Sequence, residues 1–359
     1  MSSILGTKVK ISVFGESHGE AIGVVIDGLP AGHTIDFEWI YEEMKRRAPG
    51  QNKFSTTRVE KDIPRILSGI FEGKTTGAPL TAIIENTNTN SKDYSELKSK
   101  MRPSHADYPA MVKYKGFNDY RGGGHFSGRL TAMFVFAGAV CKGILKDKNI
   151  FIGAHIKSIA KVKDKNFHGI NISREVIEEL RKESFPVLDK SIAEAMQKEI
   201  LSAKEEGDSV GGVIEAAIIN LPTGLGNPMF YSVESVLSHM LFSIPAVKGV
   251  EFGEGFEITE LRGSKANDGY YIEDGKIKTY SNNNGGVLGG ITTGMPVVFS
   301  VAIKPTPSIA LKQNTVNIDN GANDILEIKG RHDPCIVQRA VPVVECAAAV
   351  AILDILLQG

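Results

Sequence analysis

The sequence predicts an α+β fold formed by a single domain, residues 1–359, and three observations support this class. Val9, Ile11 and Val13 alternate with polar residues, which is the period of a half-buried β-strand. The apolar residues between Phe37 and Met44 follow the spacing of an amphipathic helix instead. No Pro/Ser-rich linker or low-complexity tract divides the chain, and 42% hydrophobic residues are enough for a substantial core.

Alternating or β-branched runs predict the strands in order along the chain. The first run stops at Gly15, and the second is closed by Asp27 and Gly28. A turn-rich stretch, residues 72–79, joins two further runs as a hairpin. The predicted strands are residues 9–13, 22–26, 66–71, 80–84, 213–219 and 297–303.

Four helices are predicted from apolar spacing and from their end signals. Asp36 can cap the first helix, which the Pro49-Gly50 pair ends. The others are residues 131–145, residues 191–206, where Ser191 and Glu194 form a capping-box pair, and residues 343–357. Residues 86–119 are polar and rich in turn residues, and so long a connection predicts a functional loop.

The composition excludes several classes of function. A formal net charge of -1, from 41 basic and 42 acidic residues, provides no field that would hold the chain to nucleic acid or to an anionic membrane. The longest apolar runs, residues 133–141 and 346–353, are shorter than the ~20 residues that span a bilayer. Three cysteines and no visible secretory signal predict a cytoplasmic protein. No spacing of histidine, cysteine and carboxylate residues indicates a metal site.

The first of four glycine-containing segments that carry reactive side chains is residues 15–19. Its G-x-S-x-G pattern is that of a serine hydrolase, with Ser17 as nucleophile, if a helix follows the serine. Residues 21–26 predict a strand at that place, which weakens the hydrolase hypothesis and leaves His18 as the more interesting group.

The second and third segments combine cations with possible proton carriers. In residues 102–108, Pro103 stiffens the chain between Arg102 and His105. In residues 120–129, three consecutive glycines come before a predicted helix and are flanked by Arg121 and Arg129. Backbone N–H groups at the positive end of a helix bind phosphate, so this segment predicts an anion site.

The fourth segment, residues 330–335, contains Arg331 and Asp333. They can form an ion pair, or the Asp333 carboxylate can accept a proton in catalysis. Residues 282–290 and 304–308 are candidate ligand-binding stretches without obvious catalytic side chains. A phosphate-ligand binding protein without catalytic activity therefore remains the alternative from another class.

Eight ordered segments, taken together, span nearly the whole chain. They are residues 14–19, 46–51, 102–108, 120–129, 246–251, 282–290, 304–308 and 330–335. In this order they resemble the motifs of the chorismate synthase family. The resemblance implies a core of helices between two antiparallel β-sheets, assembled as a homotetramer.

The resemblance also implies the reaction, which is an anti-1,4-elimination of phosphate and a C6 hydrogen from 5-enolpyruvylshikimate 3-phosphate. The product, chorismate, is formed at the final common step of the shikimate pathway to the aromatic amino acids. Members of the family use reduced flavin mononucleotide (FMNH2) with no net redox change. The chain has no additional segment that could be a flavin reductase, so we expect a monofunctional lyase that takes reduced flavin from an external source.

By similarity, His18 protonates the departing phosphate, His105 protonates the flavin near N1, and Asp333 helps to move a proton at flavin N5. The substrate or the nicotinamide cofactor NADP would be held by Arg47, Lys53, Arg102 and Arg129. The flavin would be held by His125, Phe126, Ser127, Pro245, Ala246, Gly289, Lys304, Pro305, Thr306, Pro307, Ser308 and Arg331.

The chain departs from the usual family pattern at four positions. His125 and Phe126 stand where the family commonly has arginine and serine, which places flavin contact by those two side chains in doubt. Ser104 replaces a glycine, a change that matters only if the backbone there has a positive φ. Lys53 replaces an arginine, which keeps the charge but loses the bidentate fork.

Overall fold

A computed structural model of the chain describes residues 3–50, 62–87, 96–167, 171–328 and 333–359. The strands in the first part of the chain are β1 (Ile4–Leu5), β2 (Lys10–Gly15), β3 (Ala21–Asp27), β4 (Arg65–Ser68), β5 (Ile70–Phe71), β6 (Lys74–Thr75) and β7 (Leu80–Glu85). Five of them form an antiparallel sheet in the order β1-β2-β3-β7-β4, and β5 pairs with β6. In this sheet Val13 lies opposite Val24, and both are buried because the alternate residues of each strand face the core.

A second antiparallel sheet is formed by later strands. The strands are β8 (Phe151–Ile159), β9 (Val162–Lys163), β10 (Gly212–Ile219), β11 (Val247–Phe252), β12 (Tyr270–Glu273), β13 (Lys276–Thr279), β14 (Val287–Leu288), β15 (Ile291–Thr292), β16 (Val297–Ile303), β17 (Gln313–Asn317) and β18 (Ala322–Leu326). The sheet order is β11-β16-β10-β8-β9, whereas β12-β13, β14-β15 and β17-β18 are separate hairpins.

The helices lie between and around these sheets. They are α1 (Phe37–Arg47), α2 (Asp107–Lys113), α3 (Thr131–Asp147), α4 (Arg174–Lys182), α5 (Ala193–Glu205), α6 (Val233–Phe242), α7 (Gly263–Ala266) and α8 (Val337–Gln358). Helix α3 packs against α8 and α1 and contacts β2 and β3, while α8 contacts β8 and β10. The helical layer therefore lies between the two sheets, which confirms the α+β fold and the layering that the resemblance implied.

Two helical segments, Gly128–Asp147 and Val337–Gln358, are long and apolar enough to cross a membrane by length and composition alone. In each of them 89% of the most apolar stretch is buried inside the protein. They are core helices, as predicted for the two apolar runs.

Most predicted elements are present, and their differences from the prediction have local causes. The Asp36 cap is confirmed, since its carboxylate accepts a 3.0 Å bond from the Trp39 N–H. The capping box at Ser191 is wrong, because the hydroxyl of Ser191 donates to Asp189 and a short 3-10 turn comes before α5. Residues 86–119 are not all loop, since they contain α2.

The last helix begins six residues earlier than predicted, at Val337. Pro342 lies inside it, although proline removes a helical hydrogen bond. Proline is best tolerated near a helix N-terminus, and here it lies within the first two turns.

A cluster of buried charged side chains joins the helices of the central layer. Lys142 of α3 donates to Glu43 of α1 at 2.9 Å and to Glu345 of α8 at 2.7 Å. Arg46 of α1 contacts the same two carboxylates, and Arg181 of α4 donates to Glu43 at 2.6 Å. Burial alone would raise the pKa of Glu43, but the three cations outweigh it and lower that pKa below its usual value. The cluster is therefore fully ionised and holds four helices in one arrangement.

Replacing Lys142 by methionine tests this arrangement. The substitution leaves two buried carboxylates short of one cation, so we expect the free energy of unfolding to fall by about 3–5 kcal/mol in denaturant titrations. Lys146→Met is the matched control, because Lys146 lies one turn further along α3 but is exposed. Similar stability losses in the two variants would contradict a structural role for the buried cluster.

Candidate active site

A cavity of about 850 Å³ opens next to the central helical layer. Its wall is built from five parts of the chain, namely β1 and β2, residues 102–106, residues 122–131, residues 239–248 and residues 304–308. Asp333, the beginning of α8, Ser17, Arg47, Pro49 and Phe134 also line it. Segments far apart in the sequence therefore meet at one place.

The three consecutive glycines lie against both candidate catalytic histidines. Gly122, Gly123 and Gly124 all have positive φ, at 58°, 85° and 53°. A methyl group added to Gly122 would lie 2.3 Å from the His18 ring, and one added to Gly123 would lie 3.2 Å from the His105 ring. Only glycine fits here, since any side chain would meet both an unfavourable backbone conformation and an imidazole.

The glycine cluster does not lie at the N-terminus of a helix, so that reason for expecting an anion site does not apply, and an anion site in this segment stays a prediction. A 3-10 turn, Gly128–Leu130, comes between the cluster and α3, and the glycines have positive φ. Their role in this structure is to let the two histidines approach the same backbone.

His18 lies in the turn between β2 and β3 and is 7% exposed. The N–H of the neighbouring Ser17 donates to the carbonyl of Gly124 at 3.1 Å, which fixes the turn on the glycine cluster. Ser17 is followed by a strand, so the strand–turn–helix of a serine-hydrolase elbow is not formed. The hydrolase alternative loses its structural basis.

His105 is oriented by Asp107, which the sequence reasoning did not single out. The Nδ1 atom of His105 lies 2.6 Å from Oδ1 of Asp107. Asp107 also accepts two bonds from the Arg102 guanidinium, at 2.7 and 2.8 Å, and one from the Arg102 backbone N–H at 3.1 Å. Burial would raise the pKa of Asp107, but the bonds from Arg102 and His105 lower it below its usual value.

An ionised carboxylate only accepts hydrogen bonds, so Nδ1 of His105 carries the proton. The opposite ring nitrogen, Nε2, is left beside Gly123 in the wall of the cavity. Asp107 therefore selects the tautomer of His105 as well as its orientation.

Ser104, which stands where the family commonly has a glycine, comes directly before His105. Its φ is positive, at 57°, so the replacement of glycine matters here. A non-glycine residue in this region carries strain of about 1–3 kcal/mol. The ammonium of Lys304 donates to the carbonyl of Ser104, which ties residues 304–308 to this strained turn.

Two candidate substrate arginines share a buried carboxylate that the sequence reasoning missed. Arg47 donates to one oxygen of Asp62 at 2.8 Å, and Arg129 donates to the other. Arg47 also donates to the carbonyl of Gly128 at 2.8 Å, and Arg129 donates to Asn86. All three charged groups are buried, and the two guanidiniums line the cavity. A lone aspartate outside any motif in the sequence carries no signal for this role.

Asp333 lies at the cavity wall and forms an ion pair with Arg339 of α8. Arg339 also donates to the carbonyl of Arg47 at 3.2 Å, and the hydroxyl of Thr306 donates to the carbonyl of Asp333 at 2.8 Å. Asp333 is thus held between α1, α8 and the 304–308 segment. The alternative partner considered from the sequence, Arg331, lies outside the described residues.

Most predicted flavin-binding residues line the same cavity. These are His125, Phe126, Ser127, Pro245, Ala246, Lys304, Thr306, Pro307 and Ser308. Pro305 and Gly289 do not line it. Arg331 and Lys53 lie outside the described residues.

His125 stands where the family commonly has an arginine, and both of its ring nitrogens form hydrogen bonds within the protein. Nδ1 lies 2.9 Å from the carbonyl of Gly15, and Nε2 lies 3.0 Å from the hydroxyl of Ser3. The side chain therefore links the N-terminal segment to the glycine cluster.

The first part of the candidate ligand-binding stretch 282–290 packs on the chain itself. Asp268 accepts bonds from the backbone N–H groups of Asn283 and Asn284, and methyl groups added to Gly285 or Gly286 would meet backbone atoms within 3 Å. A methyl group added to Gly289 would meet no atom within 4 Å, and the role of this residue in binding a ligand stays a prediction. Among the residues that the structure describes, no group of three or more histidine, cysteine, aspartate or glutamate side chains could hold a metal ion.

Comparisons with known proteins agree with the motifs and the fold. A family model described as chorismate synthase matches residues 9–357. Chorismate synthases of Thermococcus kodakarensis and Pyrococcus abyssi are 48% and 49% identical over 353 residues, which is 98% of this chain and 97% of each relative. That of Dehalococcoides mccartyi strain BAV1 is 46% identical over 359 residues, covering 100% of this chain and 98% of the relative.

A solved structure described as a crystal structure of chorismate synthase superposes with a TM-score of 0.76 at 30% identity. The match covers 99% of this chain and 93% of the solved chain. Because sequence and fold agree over nearly the whole length, the chain belongs to the chorismate synthase family of lyases.

Proposed function

We propose that the cavity binds 5-enolpyruvylshikimate 3-phosphate beside reduced flavin mononucleotide, and that His18, His105 and Asp333 move the protons of the elimination. The observation that supports this proposal is the glycine cluster: His105 and Gly122 line the cavity, and the ring of His18, which is not itself a lining residue, lies against Gly122. Two separate proton carriers at one site are what the loss of phosphate and of hydrogen requires.

The described residues of the cavity fit a flavin. A volume of about 850 Å³ lies in the upper part of the range of about 300–1,000 Å³ for small-molecule sites, so the cavity has room for a cofactor and a substrate. Phe134, Ile244 and Val343 supply apolar surface for a ring system. The pKa of Lys304 is lowered by burial and by the nearby Lys248 ammonium, so an anionic phosphate between these lysines would relieve their repulsion.

Reduced flavin mononucleotide, held by the residues that line this cavity, would supply the reversible electron transfer of an elimination with no net redox change. His18 would donate a proton to the departing phosphate, since an imidazole can donate near neutral pH. Nδ1–H of His105 bonds to Asp107, and a second proton on the ring, at Nε2, would lie near flavin N1. The Asp333 carboxylate would help to move a proton at flavin N5, with Arg339 holding it in place.

The substrate carries a phosphate and two carboxylates, and these anionic groups would be bound by Arg47, Arg102 and Arg129. Each of these guanidiniums already has a buried carboxylate partner, in Asp62 or Asp107. Those partners offset the repulsion between the cations and hold them in place before the substrate arrives, which reduces the ordering cost of binding.

Three further expectations belong to the same proposal. We expect a homotetramer, as is typical of the family, and a cytoplasmic enzyme. We also expect the reduced flavin to come from an external source. Lys53 and the nicotinamide cofactor remain candidates that lie outside the described residues.

An anaerobic assay with purified chain tests the function directly. With photoreduced FMN and 5-enolpyruvylshikimate 3-phosphate, we expect chorismate absorbance and phosphate to appear in equal amounts. Turnover in His18→Ala should fall by about 10²–10⁴-fold, which is typical for loss of a positioned acid.

Other outcomes would favour the alternative functions. Ester cleavage that is lost in Ser17→Ala would favour a hydrolase, and binding without turnover would favour a binding protein. Full activity from NADPH and oxidised FMN alone would contradict the external reductant.

A double-mutant cycle tests Asp107 as the positioning residue for His105. Asp107→Asn removes the acceptor of Nδ1–H, so we expect kcat to fall by about 10²-fold or more. In a His105→Ala background the same substitution should leave kcat nearly unchanged, because Asp107 acts on kcat through the imidazole. Its effect on KM through Arg102 should persist in both backgrounds. Multiplicative losses of kcat would contradict the assigned role.

Thermal unfolding tests whether substrate and flavin share the cavity. We expect FMN and substrate together to raise Tm far more than FMN alone, since the substrate adds contacts to buried arginines. Inorganic phosphate at the same concentration, added with FMN, should give only a small part of this increase. Equal shifts with and without the substrate would contradict binding of the substrate at these arginines.

A further inference from the structure

A second cavity, of about 330 Å³, lies against the same part of α8 as the candidate active site. Its wall is formed by the end of α1, the end of α4 with the residues after it, and the first turns of α8. The two cavities share Arg339, which faces Asp333 of the active site. None of the chemistry proposed for the first cavity uses the second.

Gln338 lines this second cavity and is 5% exposed. Both polar atoms of its amide are buried, and neither has a hydrogen-bond partner among the described residues. The backbone adds to this deficit, because Pro342 has no N–H to donate to the carbonyl of Gln338 four residues earlier. A buried amide without partners is costly, and its retention at a cavity wall indicates that a ligand satisfies it.

The charges that line the second cavity are mostly paired within the protein. Arg46 and Arg339 contact Glu345 and Asp333, and the two lining carboxylates contact Arg181 and Lys190. Two lining lysines, Lys45 and Lys182, are exposed and have no ion pair within the described part of the chain. The charge that remains uncompensated is therefore that of two ammonium groups, which matches a dianion.

We propose that this cavity is a second ligand site, which binds a small phosphate monoester that carries a free hydroxyl group. The phosphate lies between Lys45 and Lys182, and the hydroxyl both donates to and accepts from the polar groups of Gln338. A volume at the lower end of the range for small-molecule sites admits a compact organic phosphate but no dinucleotide. Because Arg339 lines both cavities, a ligand here contacts the residue that holds Asp333.

The chain contains a single tryptophan, Trp39, which reports on this cavity without any measurement of activity. The guanidinium of Arg181, which lines the cavity, lies 3.9 Å from the centre of the Trp39 ring. A ligand that draws Arg181 towards the cavity changes the surroundings of the indole and hence its emission. Trp39 does not line the first cavity.

The test is a titration of Trp39 emission in the full-length protein at constant ionic strength, with glycerol 3-phosphate and with inorganic phosphate. We expect a saturable change with glycerol 3-phosphate and at least fivefold weaker binding of inorganic phosphate. The double substitution Lys45→Gln/Lys182→Gln should weaken glycerol 3-phosphate binding at least tenfold. The matched control, Lys161→Gln/Lys198→Gln, makes the same change of charge at exposed lysines away from the cavity and should bind as the wild type does.

Gln338→Leu separates a binding role from a structural one. Because leucine removes the unpartnered amide, this variant should melt at a higher temperature than the wild type without ligand and bind glycerol 3-phosphate at least fivefold more weakly. A lower Tm with unchanged binding would overturn the role of Gln338. No saturable change with glycerol 3-phosphate, or equal affinity in Lys45→Gln/Lys182→Gln and the wild type, would overturn the site. Equal affinity for the two phosphates would overturn the requirement for a hydroxyl group.

Discussion

The buried ion pairs among Glu43, Arg46, Lys142 and Glu345 are the constraint on which the central helical layer depends. They connect α1, α3 and α8, which otherwise meet through aliphatic side chains that could pack at several registers. Apolar contacts supply most of the stability but little direction. Two carboxylates and two cations in a dry interior are satisfied in one arrangement only, and we infer that they fix the register of the three helices.

That register determines both cavities. Arg46 belongs to the buried cluster, and the next residue, Arg47, points to the active-site cavity and contacts Asp62. On α8, Glu345 anchors the helix, and Arg339, earlier in the same helix, reaches Asp333 and the carbonyl of Arg47. A shift of one helix along another would therefore move Asp333, the candidate catalytic carboxylate, together with Arg47, a candidate substrate-binding residue. The same geometry places the second cavity next to the first.

The sequence was sufficient for what depends on local patterns and on motif order. Strand periodicity and the Asp36 cap predicted elements that the structure contains, and several of the ordered segments line one cavity. The sequence was insufficient where the role of a residue depends on partners that are distant along the chain. The Gly122–Gly124 run looked like a helix N-terminus, and its actual role requires two histidines from elsewhere in the chain. Asp62 and Asp107 are ordinary aspartates until their arginines are in place.

Ser104 is a position where the sequence and the backbone geometry together indicate strain. The sequence marked it as a departure from a glycine that would matter only at positive φ, and the backbone angle of 57° shows that it does. The position adjoins His105, and the carbonyl of Ser104 accepts a bond from Lys304. Strained backbone positions cluster at functional sites, and Ser104 is a strained residue directly before a candidate proton carrier.

A crystal structure of the protein with FMN and 5-enolpyruvylshikimate 3-phosphate would test the roles of both histidines. We expect a ring nitrogen of His18 within about 3 Å of a phosphate-ester oxygen and Nε2 of His105 at a similar distance from flavin N1. Both ligands would occupy the cavity beside Gly122 and Gly123. A flavin bound elsewhere, or a substrate phosphate remote from His18, would contradict these roles.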